Sequence, residues 1–133
     1  MNWRRHQDPV RSFSRDAAQC PPLNQHYAGV RSIPVSAIIG SVGRSHELAS
    51  DFLPRKRVPG FLRGDARYHS IRAAMVHDIP LPAIEVYQLG TQYYVLDGNH
   101  RVAAARSVGQ LEIDAVVTAF EPLGTGIGQA VAA

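Results

Sequence analysis

Apolar side chains recur along this chain at two periods, and the places where the period changes delimit its expected elements. Residues 1–30 show neither: charge, Ser, Pro and isolated apolar positions follow one another without pattern, so an irregular arm with room for one short helix is expected there. Order is expected to begin at Arg31, where Ile33, Val35 and the pair Ile38–Ile39 read as a first strand and its extension. Gly40-Ser41-Val42-Gly43-Arg44 then reads as a loop and His46 to Phe52 as a short helix. Tyr68, Ile71, Ala74 and Met75 share one helical face, which predicts a helix over 68–77, with Pro80 and Pro82 forbidding its continuation.

Ile84–Leu89 and Gln92–Leu96 read as two strands, and Gly90-Thr91 between them has Gly where a two-residue type II′ hairpin needs it. A helix is expected over 98–108, stopped by Gly109. Ile113, Ala115 and Val117 alternate with Asp114, Val116 and Thr118, so 113–118 is the last strand. The Gly- and Ala-rich residues 121–133 have no period and are expected to be a mobile tail. Short strands, one tight hairpin and one strand–helix–strand passage imply a small α+β domain over 31–120, a mixed sheet packed against about three helices.

With 133 residues the chain is long enough for one domain with a core of its own. Its formal charge of +3 permits a nucleotide or nucleic-acid partner without requiring one. One cysteine, Cys20, excludes an internal disulfide framework and fits a reducing cytoplasm. No apolar stretch approaches the length of a membrane span, so no membrane partner is expected. The six histidines form no metal-binding pattern, and no protein metal site is expected.

The candidate chemistry lies at Asp97-Gly98-Asn99-His100-Arg101, where a buried strand turns into an Ala-rich helix. Asp97 is placed to cap that helix, and Gly98 to let another molecule approach the backbone. The first N–H groups of the helix point outward, where the macrodipole favours an anion. Arg101 adds a planar fork and His100 a donor, so the turn reads as a phosphate cradle. The spacing leaves a plain structural reading open too, with Asp97 as an ordinary cap, His100 at the surface, and Arg101 paired to Asp97 or Asp114.

The order strand, long loop, helix, hairpin, then Asp-Gly-x-x-Arg opening an Ala-rich helix resembles the ParB N-terminal and sulfiredoxin superfamily, of the ParB-like nuclease domain type. The resemblance spans about residues 31–120 and is most specific in YYVLDGNHRVAAARSVGQLEIDAVV. It implies that this turn binds the phosphates of ATP or CTP, accompanied by Mg²⁺ or not, with Gly98, Asn99, His100 and Arg101 around them. It also implies candidate catalytic roles for Asp97 and His100, in a nucleotide hydrolase or a phosphotransferase. Sulfiredoxins carry Gly-Cys-His-Arg at the turn; Asn99 stands here at the cysteine position, so sulfinic-acid repair is not expected. ParB proteins carry Gly-Glu-Arg-Arg followed by a helix-turn-helix domain, and free-serine kinases Asp-Gly-His-Thr-Arg. Residues 97–101 match each in part.

In the superfamily the loop after the first strand faces the nucleotide, which makes Ser41 and Arg44 candidates for closing over the phosphates; a solvated loop is the alternative. Arg55-Lys56-Arg57, with Arg63 and Arg67 beyond, concentrates positive charge. This is the basis of an alternative reading, a non-catalytic regulatory module that contacts DNA backbone. Either reading leaves a homodimer open.

Overall fold

The computed structural model of the protein describes residues 9–54 and 66–123. Six strands make one sheet: β1 (Arg11–Ser12), β2 (Leu23–Pro34), β3 (Ile38–Ser41), β4 (Ile84–Leu89), β5 (Gln92–Asp97) and β6 (Glu112–Pro122), in the order β1-β3-β5-β4-β6-β2. Neighbours run parallel in β1/β3, β3/β5 and β4/β6, and antiparallel in β4/β5 and β2/β6. The helices are α1 (Phe13–Ala18), α2 (Ala66–Val76) and α3 (Asn99–Ser107). The fold is α+β, a mixed sheet with three helices among the described residues.

The alternation in β6 works as the period-2 pattern requires: Ile113, Ala115, Val117 and Ala119 are buried. Ile113, Ala115 and Val117 join the core residues Ile84, Val86 and Val95, together with Val102, Ala103, Ala104 and Ala105 of α3, all buried. Three consecutive alanines let this helix approach the sheet closely, and α2 packs on its flank. Arg106 fastens the far end of α3, donating to the Ile38 carbonyl at 3.0 Å and stacking over Phe52.

The opposite face holds a separate aromatic cluster. Phe13 of α1 sits among Tyr87, Tyr94 and Phe120, with ring centroids 5.0, 5.3 and 4.9 Å away. Asp16 ties the same helix down: Arg11 donates to both its oxygens, at 2.8 and 2.5 Å, and the Tyr94 hydroxyl donates at 2.5 Å.

Several local expectations change. Residues 9–30 are regular: they hold β1, α1 and most of β2, because Leu23–Pro34 finds its backbone partners along the whole of β6. That pairing is non-local and leaves no period in a strand whose side chains are mostly exposed. The single strand expected at 33–39 is two, since a 3₁₀ turn at Val35–Ala37 carries the chain from β2 to β3, across the sheet. Gly40 and Ser41 belong to β3. The short helix expected at 46–52 is one 3₁₀ turn, Ser45–Glu47; Leu48 then bridges to Pro54 and Ala49 to Pro9, so the backbone there pairs with other segments.

The expected helix at 68–77, the hairpin and the last helix are present as Ala66–Val76, β4–β5 and Asn99–Ser107. Gly90 has φ +65°, as the first central residue of a type II′ turn requires, and Gly109 closes α3 at φ +73°. Residues 1–8, 55–65 and 124–133, including Arg55, Lys56 and Arg57 and most of the expected tail, lie outside the described residues. No helix among the described residues is long and apolar enough to cross a membrane.

Candidate functional site

Because β3 and β5 are parallel neighbours, with Ser41 opposite Val95, the turns that follow them leave the same edge of the sheet. At the end of β5 the chain enters α3 through Gly98, at φ 124° and ψ 25°. Gly98 is the N-cap, and its carbonyl accepts the first helical bond from the Val102 N–H at 3.0 Å. Asp97 is therefore not the cap. It is still a strand residue, opposite Glu85 in the ladder, and α3 begins without a side-chain cap. The first N–H groups of a helix have no acceptor within it, so this end keeps its positive pole uncompensated.

Gly98 is glycine for an internal reason. A Cβ there would stand 2.5 Å from Cγ2 of buried Ile84, so the space expected for an approaching phosphate is taken by the core. What an approaching group meets at this residue is its backbone.

A cavity of about 300 Å³ opens at this turn. Asp97, Gly98 and Arg101 form one side, Arg67, Ser70 and Ile71 of α2 another, and the strap Leu81-Pro82-Ala83 with Ile84 the third. Arg67, Ser70 and Ile71 stand at i, i+3 and i+4 near the start of α2, so one face of its first turns meets the first turn of α3. The cavity is thus lined by the start of α3 and by two arginines, Arg67 and Arg101, against the single carboxylate of Asp97.

Arg101 is half-buried. Its Nη1 donates to the Pro82 carbonyl, while its Nε is buried with no acceptor. Burial lowers the pKa of this guanidinium, and the charge of Asp114 acts the other way. A cation held in this condition is better solvated by an anion beside it than by the surroundings it has. Asn99, the first helical residue, is 9% exposed, and its Oδ1 is likewise buried with no partner.

Comparison with known proteins places these features against a fold. No protein-family model matches the chain, and no curated protein does. Among solved structures it is similar to sulfiredoxin from Arabidopsis thaliana, at 16% identity and a TM-score of 0.46, over 66% of this chain and 82% of that one. It is also similar to the C-terminally truncated chromosome-partitioning protein ParB from Caulobacter crescentus, complexed with CTP-γ-S. There the identity is 16% and the TM-score 0.47, over 80% of this chain and 54% of that one. The likeness is one of fold.

The remaining candidates are placed elsewhere. Ser41 is buried, donating to the Val95 carbonyl at 3.4 Å and accepting from the Arg44 N–H at 3.2 Å, which braces the loop after β3. The Arg44 guanidinium is exposed and pairs with Glu47 at 3.2 Å. Neither residue is on the cavity wall, and neither are Asn99 and His100. Arg67 and Ser70 were not singled out by motif; their helical spacing on the face of Ile71 was the signal present in the sequence.

Proposed function

We propose that the cavity at the start of α3 binds the phosphates of a nucleotide, ATP or CTP. The observation that carries this reading is the convergence of the uncapped start of α3, Arg67 and Arg101 on one small cavity. The orphaned Nε of Arg101 adds to it, because an anion would partner a buried donor that otherwise has none. The resemblance of the 97–101 turn to the ParB and sulfiredoxin motif supports a nucleotide over other phosphate compounds. At about 300 Å³ the cavity is at the small end for a ligand site, which suits a phosphate chain with the nucleoside extending outward. Asp97 is the carboxylate among the lining residues, and in this reading it would hold Mg²⁺ brought by the nucleotide or orient an attacking hydroxyl. The DNA-contacting alternative rests on Arg55, Lys56 and Arg57, outside the described residues.

The test is a thermal-shift panel of ATP, CTP, GTP, UTP and tripolyphosphate, each with and without Mg²⁺. A nucleotide at a hundred times its dissociation constant should stabilise the fold by about 2.7 kcal/mol. If no nucleotide and no polyphosphate raises the melting temperature, the reading is wrong.

A further inference from the structure

The end of α2 is closed by the Ile79 N–H, which donates to the Ala74 carbonyl at 2.9 Å, and β4 begins at Ile84. Residues 80–82 between them have little with which to fasten themselves. Pro80 and Pro82 carry no N–H, and the Leu81 N–H has no acceptor among the described residues. Among those residues the one hydrogen bond that ties this segment to the body comes from Arg101, whose Nη1 donates to the Pro82 carbonyl. Leu81, Pro82 and Arg101 all line the cavity. The same side chain is therefore the tether of the strap and a wall of the site.

A guanidinium can serve two partners at once, because its five N–H groups point in fixed directions around one plane. Nη1 of Arg101 is engaged by Pro82, while Nη2 is neither bonded nor buried. An anion that meets Nη2 leaves the Pro82 bond in place and holds the guanidinium still. Conversely, the Pro82 carbonyl keeps the guanidinium at the cavity before the anion arrives, so less rotamer freedom is lost on binding. We infer that Pro82 is a positioning residue for the phosphate site, so that anion binding and the order of residues 80–82 are linked through Arg101. This rests on the phosphate part of the reading above. The linkage is reciprocal: the anion stiffens the strap, and whatever loosens the strap weakens the anion by the same free energy.

The experiment titrates wild type, Pro82→Gly, Arg101→Ala and the double variant with tripolyphosphate by calorimetry, and follows the Leu81 amide by ¹⁵N relaxation. In wild type, saturation with tripolyphosphate should raise the order parameter of that amide toward the ~0.85 of rigid backbone. In apo Arg101→Ala it should be lower than in apo wild type. Pro82→Gly keeps the carbonyl but frees the backbone, and should bind tripolyphosphate about fivefold more weakly than wild type. Once Arg101 is Ala, the same change should make no further difference; a merely structural role for Pro82 would carry its loss into that background. Pro82→Ala replaces the glycine variant if the latter unfolds. Should both proline variants unfold, or Arg101→Ala bind too weakly to titrate, the Leu81 relaxation decides. An order parameter that tripolyphosphate leaves unchanged, or a Pro82→Gly loss undiminished without Arg101, overturns the inference and leaves the phosphate site standing. Failure of wild type to bind tripolyphosphate or any nucleotide overturns both.

Discussion

Two strands of this sheet, β1 and β5, run parallel to β3 between them, and each passes into a helix at the same edge. The two passages are built oppositely. At β1–α1 the chain satisfies itself: Ser12 caps the helix, accepting from the Arg15 N–H at 3.4 Å, and Asp16 in the first turn sets a carboxylate against the positive pole. Asp16 is answered in turn by Arg11 and Tyr94. At β5–α3 there is no side-chain cap and no acid in the first turn, and two polar atoms there go unmet. One strand-to-helix turn is closed by its own side chains and serves to fasten the N-terminal segment. The other is left open, with a cavity and two arginines in front of it. The two turns therefore differ not in the helix dipole, which both have, but in the side chains that neutralise it at one and are absent at the other.

The change expected to matter most is Gly98→Ala. It places a methyl 2.5 Å from Ile84 Cγ2 at a backbone with φ +124°, so it should cost roughly 2–4 kcal/mol in urea unfolding. A near-neutral result would show that the open turn can shift, and that Gly98 is not set by the core.

Next is Arg101→Ala. Loss of the Pro82 bond should lower apo stability by about 1 kcal/mol, and loss of a charged donor should weaken nucleotide binding by roughly 1.5–3 kcal/mol. A large stability loss with unchanged nucleotide affinity would move Arg101 from the open class to the self-satisfied one.

The closed turn should be the acid-sensitive one. Hydrogen bonds from Arg11 first, and from Tyr94, hold the Asp16 carboxyl below its ordinary 3.8, although its partial burial opposes them. A carboxyl whose pKa is lower in the folded state stabilises fully above its unfolded value. That contribution is lost as pH falls through the folded value. Asp16→Asn should therefore be less stable than wild type near neutral pH by about 1–2 kcal/mol, with the gap narrowing below pH ~4. Parallel pH curves for the two proteins would remove Asp16 as the source.

The smallest effect is expected from Ser12→Ala. The cap bond is long and α1 is short, so a loss of roughly 0.5–1 kcal/mol is expected, read most directly as faster amide exchange in α1. Exchange in α3, which has no such cap, should not change.

Of the site, the sequence made the turn itself legible. Asp97, Gly98 and Arg101 stand out where a strand gives way to a helix, and they do line one cavity. Their detailed parts were not legible. Asp97 was expected to cap the helix and ends a strand instead, since the choice between the two depends on whether Glu85 lies opposite it. At Gly98 the sequence alone suggests room for a ligand, and only the packed structure puts Ile84 in that space. In the sequence Arg67 is one of several arginines near a basic loop; α2 carries it to the cavity that Arg101 also lines.

What the sequence determined by itself is whatever depends on near neighbours: the hairpin at Gly90-Thr91, the Ala-rich helix and its stop at Gly109, and the alternation of β6. Turn chemistry and side-chain period act over a few residues and are written directly into the chain. The tertiary structure alone decided the rest. Leu23–Pro34 is a strand because β6 offers it partners some ninety residues later, and β1 is a strand because β3 runs beside it. Backbone pairing of this kind is indifferent to side-chain period, so it leaves little trace in the segment that is paired. The contrast between the two turns is divided: Ser12, Arg11 and Asp16 close the first from within a few residues, whereas the Tyr94 bond to Asp16 and the cavity in front of the second are brought by the fold.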